Sequence, residues 1–201
     1  MGSTYADPVS VQVTGVADLP VTFRQALAGL DQIELRPEIT VAPMPPPQRL
    51  APFAVALLAT AARDGEELAE GRLVVLHDPE GQDVWAGDTR CVAYVQSGVD
   101  VEMAADPLLP AVGWSWLTDA LSAAGADATA IGGTVTRTTS ERFGALADSG
   151  SEADVEIRAS WSPIGGLAPH VVAFGELLCA AAGLPPVPPG VTPIPQRRRK
   201  R

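Results

Sequence analysis

The chain has 201 residues, 46% of them hydrophobic and 19% charged, with a formal net charge of −10 at pH 7. That balance is too apolar for intrinsic disorder, and the length suffices for a single domain with its own core and no covalent staples. Two cysteines and two histidines are present; with no Cys-x-x-Cys and no paired histidines a tetrahedral zinc site lacks ligands, so no metal and no cofactor is expected.

The start, "MGSTYADPVS", has neither a basic run nor an apolar one, and Ala6 stands where a myristoylation signal requires Ser or Thr. The longest apolar run, "LAPFAVALLATAA" at 50–62, is interrupted by Pro52 and is too short to span a bilayer. A cytoplasmic protein without membrane contact is expected, with residues 1–18 as a flexible N-terminus.

The elements then follow in order. "LPVTFRQALAGLD" (19–31) sets Phe23, Ala26, Leu27 and Leu30 on one helical stripe, with Pro20 suited to the first turn. "QIELRPEITVAP" (32–43) alternates, so a half-buried strand is predicted, and Pro37 places it at an edge. "PMPPPQRLAP" (43–52) is a rigid connector. "FAVALLATAA" (53–62) fits a buried strand or a helix, with the strand preferred. The acidic "RDGEELAEG" (63–71) reads as a connector, "RLVVLHD" (72–78) as a strand, "PEGQ" as a turn, and "DVW" as the start of the return. "DTRCVAYVQSGVDVEM" (88–103) alternates again and is predicted to be a strand throughout. Its Cys91, like Cys179 in "GELLCAAAG", sits in an apolar stretch and reads as a buried thiol; nothing supports a disulfide between the two.

"GWSWL" (113–117) places two tryptophans two positions apart. On a strand they would share a face, whereas on a helix they stand roughly 200° apart. Asp106 as N-cap, Pro107 at the first helical position and Gly125 as a stop favour the helix. The stripe Leu109, Val112, Trp116 and Ala120 then faces the sheet. Trp114 groups with Leu117 and Leu121 on a second flank, where the first helix, a loop, a partner chain or a small ligand must cover it. "TAIGGTVTRTTS" (129–140) is predicted as a strand with a glycine bulge at 132–133. In "DVEIRASW" (154–161) Val155, Ile157, Ala159 and Trp161 point inward, and "LAPHVVAFGELLCAAAG" (167–183) is a helix capped by Gly183.

After it, "GLPPVPPGVTPIPQ" carries six prolines between 185 and 195, then comes the run Arg197, Arg198, Arg199, Lys200, Arg201. Without that run nine basic residues face 24 acidic ones, a balance of −15. Residues 185–201 are therefore expected to be a disordered proline-rich spacer with a basic tip, and residues 19–184 a single α+β domain. That domain is an antiparallel or mixed sheet of about six strands with helices packed on one side. The tip suits a weak, sequence-independent nucleic acid contact or a fold back onto the acidic globule.

No GxSxG, P-loop, HExxH or GxGxxG occurs, and no catalytic constellation is complete. "LHDPEG" joins His77 and Asp78 at a strand end, a base-and-orienter arrangement that is also what a polar turn looks like. "TSERFG" offers Ser140 with no base placed beside it. The arginines at 24, 36, 49, 90, 137 and 158 fall mostly on polar strand faces opposite carboxylates, where cross-strand ion pairing is expected.

Together "LRPEI", "PPQRLAP", "GRLVVLHDP", "EMAADPLLPAVGWSWLTDAL", "GTVTRTTSERFGALAD", "VEIRASW" and "LLCAAAGLPP" resemble, over nearly the whole chain, an actinobacterial family of uncharacterised proteins, domain of unknown function 3000. The resemblance implies a bacterial cytoplasmic protein and assigns no activity, cofactor or catalytic residue. Two readings follow from the residues. One is a non-catalytic binding or adaptor module that meets an unknown protein partner, or a second copy, through Trp114 or through Arg197, Arg198 and Arg199. The other is a small enzyme with a His/Asp/Arg site around His77, for which a deep pocket joining His77 to Arg137 or Arg158 would be the sign.

Overall fold

A computed structural model describes residues 19–186, so the expectations for the N-terminus at 1–18 and for the spacer and basic tip from 187 onward lie outside the described residues. Strands β1 (Ile39–Met44), β2 (Phe53–Arg63), β3 (Glu66–Gln82) and β4 (Gly87–Val99) form a meander. Strand β6 (Glu152–Pro163) lies beside β4, and β5 (Ala128–Ser140) forms the far edge. Every pairing is antiparallel. Because β6 separates β4 from β5, the chain must cross over between them, and helices α2 (Val101–Ala105) and α3 (Leu109–Ala123) make that crossing. Helices α1 (Val21–Leu27) and α4 (Ala168–Ala181) complete the α+β fold.

One sheet face is covered. Along β4, Cys91, Ala93, Val95 and Ser97 are buried while Val92 and Gln96 are exposed, the alternation of a strand with one dry side. On the dry side α3 packs on β5 and β6, and α4 packs on β2, β3 and β4. Strand β6 behaves as its pattern predicts: Val155, Ile157, Ala159 and Trp161 are all buried, Trp161 completely. Helix α4 ends as predicted, with Gly183 at φ +66° and the Leu184 N–H returning to the Cys179 carbonyl at 2.9 Å. Both cysteines are free and buried. Burial pushes each thiol up to about 12, so neither is a thiolate at neutral pH.

Four boundaries differ from the sequence reading. The stretch 63–71 is not a connector but the β2–β3 hairpin. Asp64 (φ 56°) and Gly65 (φ 88°) form its two-residue reversal, so Glu66 already belongs to β3. Such turns need two left-handed residues, and Asp-Gly supplies them. At the other end β3 runs through "PEGQ" to Gln82, and a 3₁₀ turn at Asp83–Trp85 followed by Ala86 reverses the chain. The alternation at 88–103 stops being a strand at Val99, and Val101–Ala105 is helical. Edge strand β1 starts only at Ile39, after a turn in which the Ile39 N–H meets the Arg36 carbonyl at 2.9 Å.

Helix α3 is present but rotated from the predicted face. Its buried residues are Leu109, Gly113, Leu117, Ala120 and Leu121, whereas Val112 is 43% exposed. Asp106 Oδ1 accepts the Leu108 N–H at 2.8 Å, and the proline in the first turn is Pro110. The rotation follows from smallness rather than bulk. A Cβ on Gly113 would sit 3.1 Å from Val135, so helix and strand approach closely at this glycine. The neighbouring contact is tighter: a Cβ on Gly133 would lie 2.3 Å from the Arg158 carbonyl oxygen and 3.0 Å from the Trp114 ring.

Two outcomes test this packing. Gly133→Ala should lower the unfolding free energy by about 2 kcal/mol or more, because a backbone atom blocks the new methyl. Gly132→Ala, whose Cβ would meet nothing within 4 Å, should be neutral or slightly stabilising. Trp161→Ala should cost about 3–5 kcal/mol in chemical denaturation; a loss no larger than that of a surface substitution would show that the β6 ring is not a core anchor.

Candidate functional site

His77 and Asp78 are neighbours on β3 and therefore face opposite ways. His77 is buried, stacked on Phe23 with ring centroids 4.8 Å apart and planes 10° apart. The Thr89 hydroxyl donates to Asp88 Oδ1 at 2.8 Å, so it accepts the Nδ1–H of His77 at 3.1 Å. Asp78 closes its own turn, accepting the Glu80 N–H at 3.2 Å and the Gln82 amide at 3.1 Å. Arg137 donates to the carbonyls of Ala104 and Asp106, tying β5 to the end of α2. Arg158 pairs with Glu156 on the open sheet face. The sequence neighbours thus separate in space, and none of the clefts named below contains His77. Arg197, Arg198 and Arg199 lie outside the described residues.

Trp114 is half-buried and packs against the core beside Gly133. The ring lies against Gly133 of edge strand β5. Trp116, which the sequence reading placed against the sheet, is likewise half-buried and packs against the core, but it also lines open space. On the flank of α3, it is common to two clefts. The first, about 750 Å³, opens among the end of β4, helix α2, the start of β6 and the last turn of α4. Its ionisable lining is Asp100, Glu102, Glu152 and Asp154, beside Val99, Val101 and Met103. The C-terminal end of α4 adds the negative end of a helix dipole. Of the four carboxylates, Glu152 has Arg142 as a partner, and that pair holds the Glu152 carboxyl below its usual range.

The second cleft, about 620 Å³, runs between α3 and α4 over a floor of small residues that includes Ala120, Ala123, Ala124 and Ala180. Arg36 stands at its rim with its side chain only 8% exposed. Its guanidinium lies 3.2 Å from Glu38 and 3.9 Å from Glu176, and donates to the Pro185 carbonyl at 3.0 Å. Burial opposes this charge, but the hydrogen bond to Glu38 and the two carboxylates outweigh it, so the pKa is raised. Burial also raises Glu176, against the opposing pull of Arg36. Arg36 thus holds the Pro185 carbonyl beside this cleft. The sequence signal for Trp116 was present: with Gly113, Leu117 and Leu121 as the contact stripe, position 116 falls on the flank.

The open sheet face carries a third feature. Tyr94 lies between Arg72 and Arg158, their guanidinium carbons 6.0 and 5.6 Å from the ring centroid. Burial and the Glu156 carboxylate, 2.9 Å from the hydroxyl, raise the Tyr94 pKa. The ion pairs here are Arg72–Glu70 and Arg158–Glu156, along one strand rather than across two. Residues i and i+2 share a face, so the charges on this surface pair with each other.

The second histidine is a core group. His170, on α4, accepts the Trp161 indole N–H at Nδ1 over 3.1 Å. That bond puts the neutral ring's proton on Nε2, and a charged ring would set two donors face to face. Burial lowers the His170 pKa and Asp127 partly opposes it. A histidine depressed in the folded state contributes stability that is whole above its unfolded value, near 6.5, and is lost as pH falls below it. Unfolding free energy should therefore decline between about pH 7 and 5. In His170→Gln, which retains an acceptor, that decline should be shallower in parallel denaturant titrations; identical slopes would refute the linkage.

Among the described residues no helix is long and apolar enough to cross a membrane, and no group of three or more His, Cys, Asp or Glu is placed to hold a metal ion. Comparisons with curated proteins and with solved structures found no match. The model of one family, described as "Protein of unknown function (DUF3000)", matches residues 19–192. That span takes in every element of the sheet and its helices, and the chain belongs to this family.

Proposed function

We propose that the protein is a non-catalytic binding module, and that the site is the pair of clefts divided by Trp116. The partner is a polypeptide segment that presents an apolar side chain to the indole and cationic side chains to Asp100, Glu102 and Asp154. The observation that carries this reading is the position of Trp116: a large, half-buried ring that lines both an acidic cleft and one floored by alanines. Aromatic anchors beside desolvated pockets are where binding energy concentrates. A rim of one charge sign selects the opposite sign and speeds encounter. The enzyme reading loses its support because the His77 ring lies buried under Phe23. Trp116 takes the role that the sequence reading gave to Trp114.

The direct probe is a fluorescently labelled peptide, Leu-Arg-Arg-Leu-Arg, titrated with the protein and followed by anisotropy. Saturable binding that weakens about tenfold or more in Trp116→Ala is expected, in line with loss of a central aromatic contact. The Glu102→Gln/Asp154→Asn double variant should bind more weakly, with a flatter dependence on salt. Equal binding by Trp116→Ala and the native chain would refute the site.

A further inference from the structure

The acidic cleft has a candidate occupant in the same chain. Leu184 is buried and the Pro185 carbonyl accepts from Arg36, so the last described residues are held in place. Pro186, the last described residue, lines the alanine-floored cleft, and Ala180–Gly183 just before it line the acidic one. The chain thus emerges where the two clefts meet. Beyond it the sequence continues "VPPGVTPIPQ" and then the five cations Arg197, Arg198, Arg199, Lys200 and Arg201. Ten residues can span up to about 31 Å at roughly 3.1 Å per residue. The adjoining cleft lies within that reach.

We infer that the basic tip, residues 197–201, docks in cis into the cleft lined by Asp100, Glu102, Glu152 and Asp154, and so competes with the partner of the proposed binding site. Charge selects this occupant. Among the described residues the cleft's lining holds four carboxylates, of which Glu152 is paired with Arg142, and no basic residue, and the remainder of the chain stands at −15 when the tip is excluded. Tethering makes even a weak contact effective, because a short linker holds its end at millimolar effective concentration. Arginines on a proline-rich tether need no fold of their own to reach carboxylates around a shallow cleft. The competition rests on the function proposed above, whereas the docking itself does not.

The sequence provides its own reporter, since Lys200 is the single lysine. A carbodiimide joins a lysine amine to a carboxylate in direct contact, and peptide mass mapping then identifies the acid. The full-length protein at low salt should give Lys200 links within the monomer to Asp100, Glu102, Glu152 or Asp154. These should fade at high ionic strength and vanish in Lys200→Arg. Links scattered over the acids of the β2–β3 hairpin and the open sheet face would overturn the docking, as would links found only between two chains. Competition has a separate readout: a chain ending at Gln196 should bind the Leu-Arg-Arg-Leu-Arg peptide at least about threefold tighter than the full chain. Equal affinities would overturn the competition while leaving the binding site intact. Peptide binding by neither chain would remove the function proposed above and leave the cross-linking result to decide the docking.

Discussion

Close approach of helix to strand is the constraint on which the structure depends. A six-stranded sheet with one dry face must be covered side to side, and here α3 and α4 share the task. Glycines make it feasible at the points of contact. A Cβ on Gly71 of β3 would lie 2.9 Å from Leu178 and 3.0 Å from Phe174, both on α4. Gly113 of α3 plays the reciprocal part against Val135 of β5. Since interiors are packed to the density of organic crystals, such contacts admit almost no adjustment. The rotation of α3, and with it the placement of Trp116, follows from where the glycines are.

This explains which parts of the fold were legible in the sequence. Strand β6 was readable because one face is dry and one is wet, so "DVEIRASW" alternates without exception and the burial follows it. Strand β2 could be reached only by preference, since Ala56 and Leu58 soften the alternation, and Ala56 is buried on the opposite face from Val55 and Leu57. The acidity of "RDGEELAEG" disguised a strand, although its Asp-Gly is the shortest complete hairpin signal in the chain. The stretch at 100–105 failed for the opposite reason. Its alternation persists through Val101 and Met103, yet helix α2 must begin there for the chain to cross over β6. Topology overrode a local pattern.

The site was less legible than the fold because its residues converge from distant segments. Trp116, Arg36, Glu102 and Asp154 are far apart in the chain and meet only because α2, α3 and α4 end near one corner of the sheet. Residues adjacent in sequence, His77 and Asp78, read as one group, but a strand sends neighbours to opposite faces and they make separate contacts. Trp114 and Trp116 flank the buried stripe of α3 on either side and are both half-buried, so the helical phase leaves them alike. Large apolar residues suggested one phase, and the smallest residue, Gly113, determined the other.

The two faces of the molecule handle charge in opposite ways, and that difference argues for the helix side as the one that meets a partner. On the open sheet face Arg72 and Arg158 are each satisfied by a glutamate two residues earlier, and both lie over Tyr94. An incoming ion would have to break those pairs before gaining anything. Around Trp116 the arrangement is unbalanced: Arg36 is already committed to Glu38, Glu176 and the Pro185 carbonyl, and among the described residues Glu152 alone of the carboxylates lining the acidic cleft has an ion-pair partner. Exposed like charges gathered without counter-charge raise the free energy of the isolated chain, a penalty relieved when cations arrive. A surface that is self-neutralised gains little from a charged ligand, and one left unneutralised beside an aromatic ring gains on both counts.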